Sequence, residues 1–141
     1  MTDLISDLPG PDGPFFAGLL AGEIRLPRCA QCGLWHWPAV FRCGECGSWQ
    51  IDWLPVAGQG RLFSHARSWH RFAGSEGLEL PYVSVLVELP QAGGRRLLGV
   101  LEGDDTGLKI GAAMQARISS VRFGEQEVPA LRWRLKTEAS A

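Results

Sequence analysis

The sequence predicts a mainly β protein: a short N-terminal helix, a cysteine-knuckled ribbon, and then a small five-stranded barrel of the OB-fold kind. Three observations carry this. All four cysteines fall in two CxxC pairs inside "RCAQCGLWHWPAVFRCGECGSW", residues 28–49. After Trp53 the chain turns to β-branched, aromatic and alternating stretches, five of them in about 80 residues, each bounded by turn signals. No long helical period runs between those stretches, which argues against a βαβ sheet and for a closed or partly open barrel.

Residues 1–13 mix Pro, Gly and Asp with few apolar groups and read as a poorly ordered leader. From Pro14 the text becomes "PFFAGLLAGEI", where Phe15, Phe16, Leu19, Leu20 and Ile24 recur at near-helical spacing behind Asp12, a candidate cap, with Pro14 suited to the first turn. The expected helix spans 14–26. Its apolar face has two uses, packing on the protein's own core and docking on a partner, and they do not exclude each other. The ribbon is expected over 27–53 and the barrel over 54–137. Its strands are expected in "GQGRLFSHARSWHRF", "LPYVSVLVEL", "RRLLGVLEG", "AAMQARISSVRF" and "VPALRWRLK", with turns at "QAGG", "DDTG" and "GEQE". The closing "TEASA" is expected to fray, and the doubled CxxC is the only internal repeat in this reading.

Composition narrows the chemistry. A formal net charge of −1 argues against a dedicated DNA binder, whose affinity would come from Lys and Arg neutralising phosphates. The start "MTDLISDLPG" has neither the basic nor the apolar region of a secretory signal, and no stretch reaches the apolar length of a membrane span. The expected location is the cytoplasm. In that reducing compartment four cysteines read as metal ligands before they read as disulfides.

The cysteine pattern suits a rubredoxin-like zinc ribbon. Each pair is followed by glycine, "CAQCG" and "CGECG", so the backbone can take a positive φ and turn its amides toward the sulfurs. The ten-residue link is short but spans a hairpin. Cys29, Cys32, Cys43 and Cys46 are the candidate ligands of one structural Zn2+ per chain, with iron in the same ligand set as the competitor. A thioredoxin-like reading lacks the helix N-terminus in a βαβ context that would activate a thiol. Four protein ligands leave no open position, so the site is expected to hold structure and not to hydrolyse. His36, between Trp35 and Trp37, reads as a hairpin residue.

The first barrel strand alternates a small face, Leu62, Ser64, Ala66 and Ser68, with Phe63, His65, Arg67, Trp69 and Arg71. Rings interleaved with arginine suit a ligand with a flat base and phosphates, an oligonucleotide or coenzyme A; the plainer reading makes the rings core and the arginines solvated. Arg67, Trp69 and Arg71 are the candidate ligand contacts. No catalytic constellation accompanies them: His65 and His70 fall on opposite faces of a regular strand, Asp104-Asp105 precedes Thr-Gly and reads as a turn, and no GxSxG, GxGxxG or P-loop occurs. No catalytic residue is assigned.

The order of parts resembles a known family of zinc-ribbon and OB-fold acyl-CoA-associated proteins, described as a domain of unknown function. The resemblance rests on "FFAGLLAGEIRLPRC", the two knuckles, "WPAVFRC", "GQGRLFSHA", "LPYVSVLVEL" and "LKIGAAMQA", from about Phe15 to Leu135. Cys29, Cys32, Cys43 and Cys46 fall on the family's zinc ligands, Pro81-Tyr82 on its "PY" strand start, and Leu108 and Gly111 on its "L..G" turn. Two features depart from it: Pro38 is followed by Ala39 where a second proline is common, and Trp35 and Trp37 make the link unusually aromatic. The resemblance implies a non-catalytic auxiliary subunit of an acyl-CoA-processing complex. It would dock on a thiolase-fold partner, a thiolase or an aldolase or hydratase of steroid or lipid side-chain breakdown, and help bind CoA esters. Phe15, Phe16, Leu19, Trp35, Trp37 and Phe41 are the candidate docking residues. The alternatives are a stand-alone single-stranded nucleic-acid module and an independent acyl-CoA thioesterase.

Overall fold

The computed structural model describes residues 9–136; most of the expected leader and the whole TEASA tail lie outside them. The chain divides into two units. One runs to Ala57 and takes in Pro90–Arg95; the other comprises Gly58–Leu89 and the chain from Arg96 on.

In the first unit, helix α1 (Gly13–Leu20) carries Pro14 in its first turn as expected. Asp12 sits at the N-cap without a side-chain cap bond, and its carbonyl accepts the Phe15 N–H at 3.0 Å. The helix expected over 14–26 ends at Leu20. Gly22, at φ 86°, turns the chain, and the Ala21 and Gly22 amides bond back to the last turn. Ile24 then opens strand β1 (Ile24–Cys29), which pairs antiparallel with β2 (Ile51–Val56) from Ile24↔Val56 to Cys29↔Ile51. Ile24 stands four residues after Leu20 and so mimics a helical period, yet its real period is two: Ile24 and Leu26 are buried and Arg25 between them is not. Phe15, Leu19, Ile24 and Leu26 form this unit's apolar core with Cys29 and Cys43.

The second unit closes the expected barrel. Strands β3 (Gln59–Ser68), β4 (Tyr82–Leu89), β5 (Arg95–Leu101), β6 (Ala113–Phe123) and β7 (Gln126–Leu135) follow the order β3-β4-β5-β7-β6. Closure leaves no free sheet edge to template pairing with other chains. The pair β5 and β7 is parallel at Val100↔Arg132, whereas β6 and β7 form a long antiparallel hairpin. Alternation buries Val85, Val87 and Leu89 of β4 with Leu131 and Trp133 of β7. Trp133 is fully buried, and it fixes one neighbour: a Cβ at Gly99 would stand 2.7 Å from Trp133 Cδ1 and 2.8 Å from the Leu131 carbonyl oxygen.

Strand β3 departs from simple alternation. Leu62 pairs with Val87, but the next pair is Ser64 with Leu86, leaving Phe63 as an extra residue. Past this bulge His65 and Arg67 share a face with Val85 and Val83, so the face expected to run from Phe63 through Arg71 is not continuous. The strand itself ends at Ser68.

Candidate metal centre and neighbouring surfaces

The sulfurs of Cys29, Cys32, Cys43 and Cys46 all lie within 4.8 Å of one another. Cys29 and Cys46 approach to 3.5 Å, and Cys32 and Cys43 to 3.6 Å. A tetrahedral metal with bonds of about 2.3 Å sets sulfurs about 3.8 Å apart, so the cluster has the dimensions of a four-thiolate site. His36 stands outside it. Its ring is buried, its Nε2 has no partner among the described residues, and burial, then the Arg95 charge, hold it below its ordinary pKa against the opposing Glu45.

The thiols are unequal. The Cys32 amide directed at the Cys29 sulfur is the largest influence there and, against desolvation, brings that thiol down to about 6; the Cys46 amide likewise lowers Cys43. Against the pull of the Leu34 amide, desolvation and contact with Cys43, Cys29 and Cys46 push Cys32 up to about 12, and Cys46 is raised against the Ser48 amide. Four thiols this close share protons because they cannot all ionise side by side. A divalent cation at their centre lets all four be thiolates, so this donor set fits a metal ion.

The local build of the site repeats. "RCAQCGLW" (28–35) and "RCGECGSW" (42–49) share R-C-x-x-C-G-x-W, which extends the doubled CxxC and its following glycine by an arginine before and a tryptophan after. The Gly33 amide bonds the Cys29 carbonyl at 2.9 Å, and Gly47 bonds Cys43 at 2.9 Å. Both glycines have positive φ, 80° and 79°, which side-chain-bearing residues rarely adopt. Arg28 Nε donates to the Gly33 carbonyl at 2.9 Å and Arg42 Nε to that of Gly47 at 2.8 Å. Each guanidinium then lies over its own tryptophan, Arg28 on Trp35 at 5.6 Å and Arg42 on Trp49 at 5.4 Å. A divalent metal with four thiolates carries two net negative charges, and one arginine on each knuckle places compensating charge beside it.

The candidate docking residues divide. Phe15 and Leu19 are buried in the first unit's own core, and Trp37 packs on Phe15 with ring centroids 4.6 Å apart. Phe16 sets its edge on Phe15 at 5.3 Å. Trp35 is half-buried, and its carbonyl accepts Arg95 Nε at 2.7 Å. Phe41 is 60% exposed, and Trp49, which the sequence reading did not single out, is 69% exposed.

On the barrel, Arg67 lies 5.6 Å from the Trp69 ring and pairs with Asp105. Arg71 is committed elsewhere. Its Nη1 donates to the carbonyls of Ser75, Glu76 and Leu78 at 3.1, 3.2 and 3.0 Å, which organises the loop after β3. Arg67 lines a cleft of about 450 Å³ with Tyr82, Leu101, Asp105 and Arg132. Desolvation lowers the pKa of Arg132, and Glu102 opposes the shift. Tyr82 and Arg132 were missed as candidates; the signal for Arg132 was a charged residue between Leu131 and Trp133 on an alternating strand.

No protein-family model matches the sequence, and no curated protein does. Solved structures share the fold, among them the following two. A chain of an Ltp2-ChsH2(DUF35) aldolase superposes with a TM-score of 0.78 at 26% identity, covering 93% of this chain and 98% of that one. A DUF35-family protein of unknown function from Sulfolobus solfataricus gives a TM-score of 0.59 at 26% identity, covering 96% and 92%. With its four-cysteine ribbon, N-terminal helix and closed five-stranded barrel, the chain has the architecture of a DUF35 protein.

Proposed function

We propose that this chain is a non-catalytic auxiliary subunit of a cytoplasmic acyl-CoA-processing complex, docking on a thiolase-fold partner, either a thiolase or an aldolase of steroid or lipid side-chain breakdown. The observation that carries this reading is the likeness, along 93% of the chain, to the DUF35 chain of an Ltp2-ChsH2 aldolase. The metal in this reading is zinc, held by Cys29, Cys32, Cys43 and Cys46. Its closed ligand set gives it the work of fixing the two knuckles so that the rings around them keep one geometry.

Docking then falls to the side chains that the ribbon unit leaves outward, Phe41 foremost, while Phe15, Leu19 and Trp37 hold the platform. The CoA ester in this reading meets the barrel at the Arg67 cleft. Arg67 and Arg132 supply positive charge there, Leu101 supplies apolar wall, and Trp69 stands beside Arg67 as a stacking surface. Arg71 contributes by ordering the adjoining loop. The test is purification of the tagged chain from its native cells: a thiolase-fold acyl-CoA enzyme in stoichiometric amount is the expected companion, and recovery of the chain without any acyl-CoA enzyme overturns the reading.

A further inference from the structure

The two knuckles are alike in sequence, hydrogen bonding and arginine stacking, but only the first is covered. On Trp35 the chain seats its own turn. A Cβ at Gly93 would stand 3.2 Å from Trp35 Cδ1, Gly93 itself has φ 64°, and Arg95, two residues on, donates from Nε to the Trp35 carbonyl at 2.7 Å. That contact defines what such a knuckle receives: a glycine whose bare Cα can lie against the indole, and an arginine that caps the carbonyl. The equivalent Trp49 is 69% exposed, and no described residue donates to its carbonyl. Charge reinforces the match. Where the first knuckle has Gln31, the second has Glu45, an exposed carboxylate suited to a cationic visitor.

We propose that the Trp49 knuckle is a docking site for a partner-protein loop of the form Gly-x-Arg, seated as Gly93 and Arg95 are seated on Trp35. A second copy of this chain does not qualify, because its own turn already occupies its own Trp35. The inference rests on the reading of the chain as a partner's subunit and names the chemistry of one contact in that assembly.

The test titrates the metal-loaded protein with a head-to-tail cyclised peptide carrying Gln-Ala-Gly-Gly-Arg-Arg, following the indole N–H resonances by NMR. The expected result is a saturable shift at Trp49, with a Kd on the order of 1 mM as befits one isolated contact. Alanine for the first glycine, or glutamine for the first arginine, is expected to weaken binding at least about tenfold, the equivalent of about 1.4 kcal/mol. Trp49→Ala protein, with its metal content unchanged, should lose the saturable response. An unmoved Trp49 resonance, equal binding of the altered peptides, or a response centred on Trp35 overturns the proposal. Because no partner is present, such a failure removes this docking mode alone, whereas failure to copurify with an acyl-CoA enzyme removes the subunit reading.

Discussion

Cys29 and Cys46, seventeen positions apart in the chain, bring their sulfurs to 3.5 Å. Cys32 and Cys43 make the matching contact at 3.6 Å, so each close pair joins one knuckle to the other and neither knuckle is a self-contained site. Loss of any one sulfur therefore disconnects both. Metal analysis should return about one zinc per wild-type chain, and Cys29→Ser should lose most of it. Binding of structural zinc contributes on the order of 10 kcal/mol in small modules, so chelation should unfold the ribbon unit while the barrel's far-ultraviolet β signature persists. Fully folded, metal-free protein would contradict this.

Gly99 against Trp133 tests the packing of the barrel core. With backbone at 2.8 Å and a buried ring at 2.7 Å from the position of a new Cβ, Gly99→Ala should lower stability by about 1–3 kcal/mol in denaturant titration. Gly44, with nothing within 4 Å, is the control, and Gly44→Ala should stay within about 0.5 kcal/mol.

Glu102 carries an acid-dependent part of the stability. Its hydrogen bond to Arg117, opposed by desolvation and aided by the charges of Arg117, Arg134 and Arg132, lowers its pKa below the ordinary 4.5. A carboxylate depressed in the folded state stabilises fully above its unfolded pKa, and that stability fades as pH falls through the folded value. The gap between wild type and Glu102→Gln should therefore be present at pH 7 and close below about pH 4. The pair is part-exposed, so the gap is small and shrinks in salt. A gap that widens in acid would show the sign to be wrong.

Arg71 separates loop order from ligand contact. Losing three carbonyl partners in Arg71→Ala should speed hydrogen exchange at the Leu78 amide, which bonds the Ser75 carbonyl at 3.0 Å, by about tenfold. Unchanged exchange would mean the loop is held by other contacts, such as the Ser75 hydroxyl on the Phe72 carbonyl.

The barrel was legible because period-two burial is written directly into "YVSVLVEL" and "ALRWRL", and the cysteine cluster because its spacing admits few other uses. What stayed hidden has physical causes. Ile24 sits four residues after Leu20, so the end of a helix and the start of a strand produce one helical-looking period until Gly22 is known to turn the chain. The bulge at Phe63 cannot be seen in a single strand, since register belongs to a pair. The apolar face of α1 suits both core and docking surface in sequence; burial of Phe15 and Leu19 gives those two to the core. The repeat around the cysteines was visible in full, but its meaning required seeing that Arg28 and Arg42 each bridge a glycine carbonyl and an indole.

Whether this chain serves another protein's chemistry is decided by measuring acyl-CoA turnover with the copurifying enzyme alone, this chain alone, and the two together. Turnover is expected from the pair and not from this chain alone, with the pair's advantage lost when Cys29→Ser removes the metal. Turnover by the purified chain alone, or an enzyme whose activity and mass are both unchanged by adding it, would overturn the subunit role.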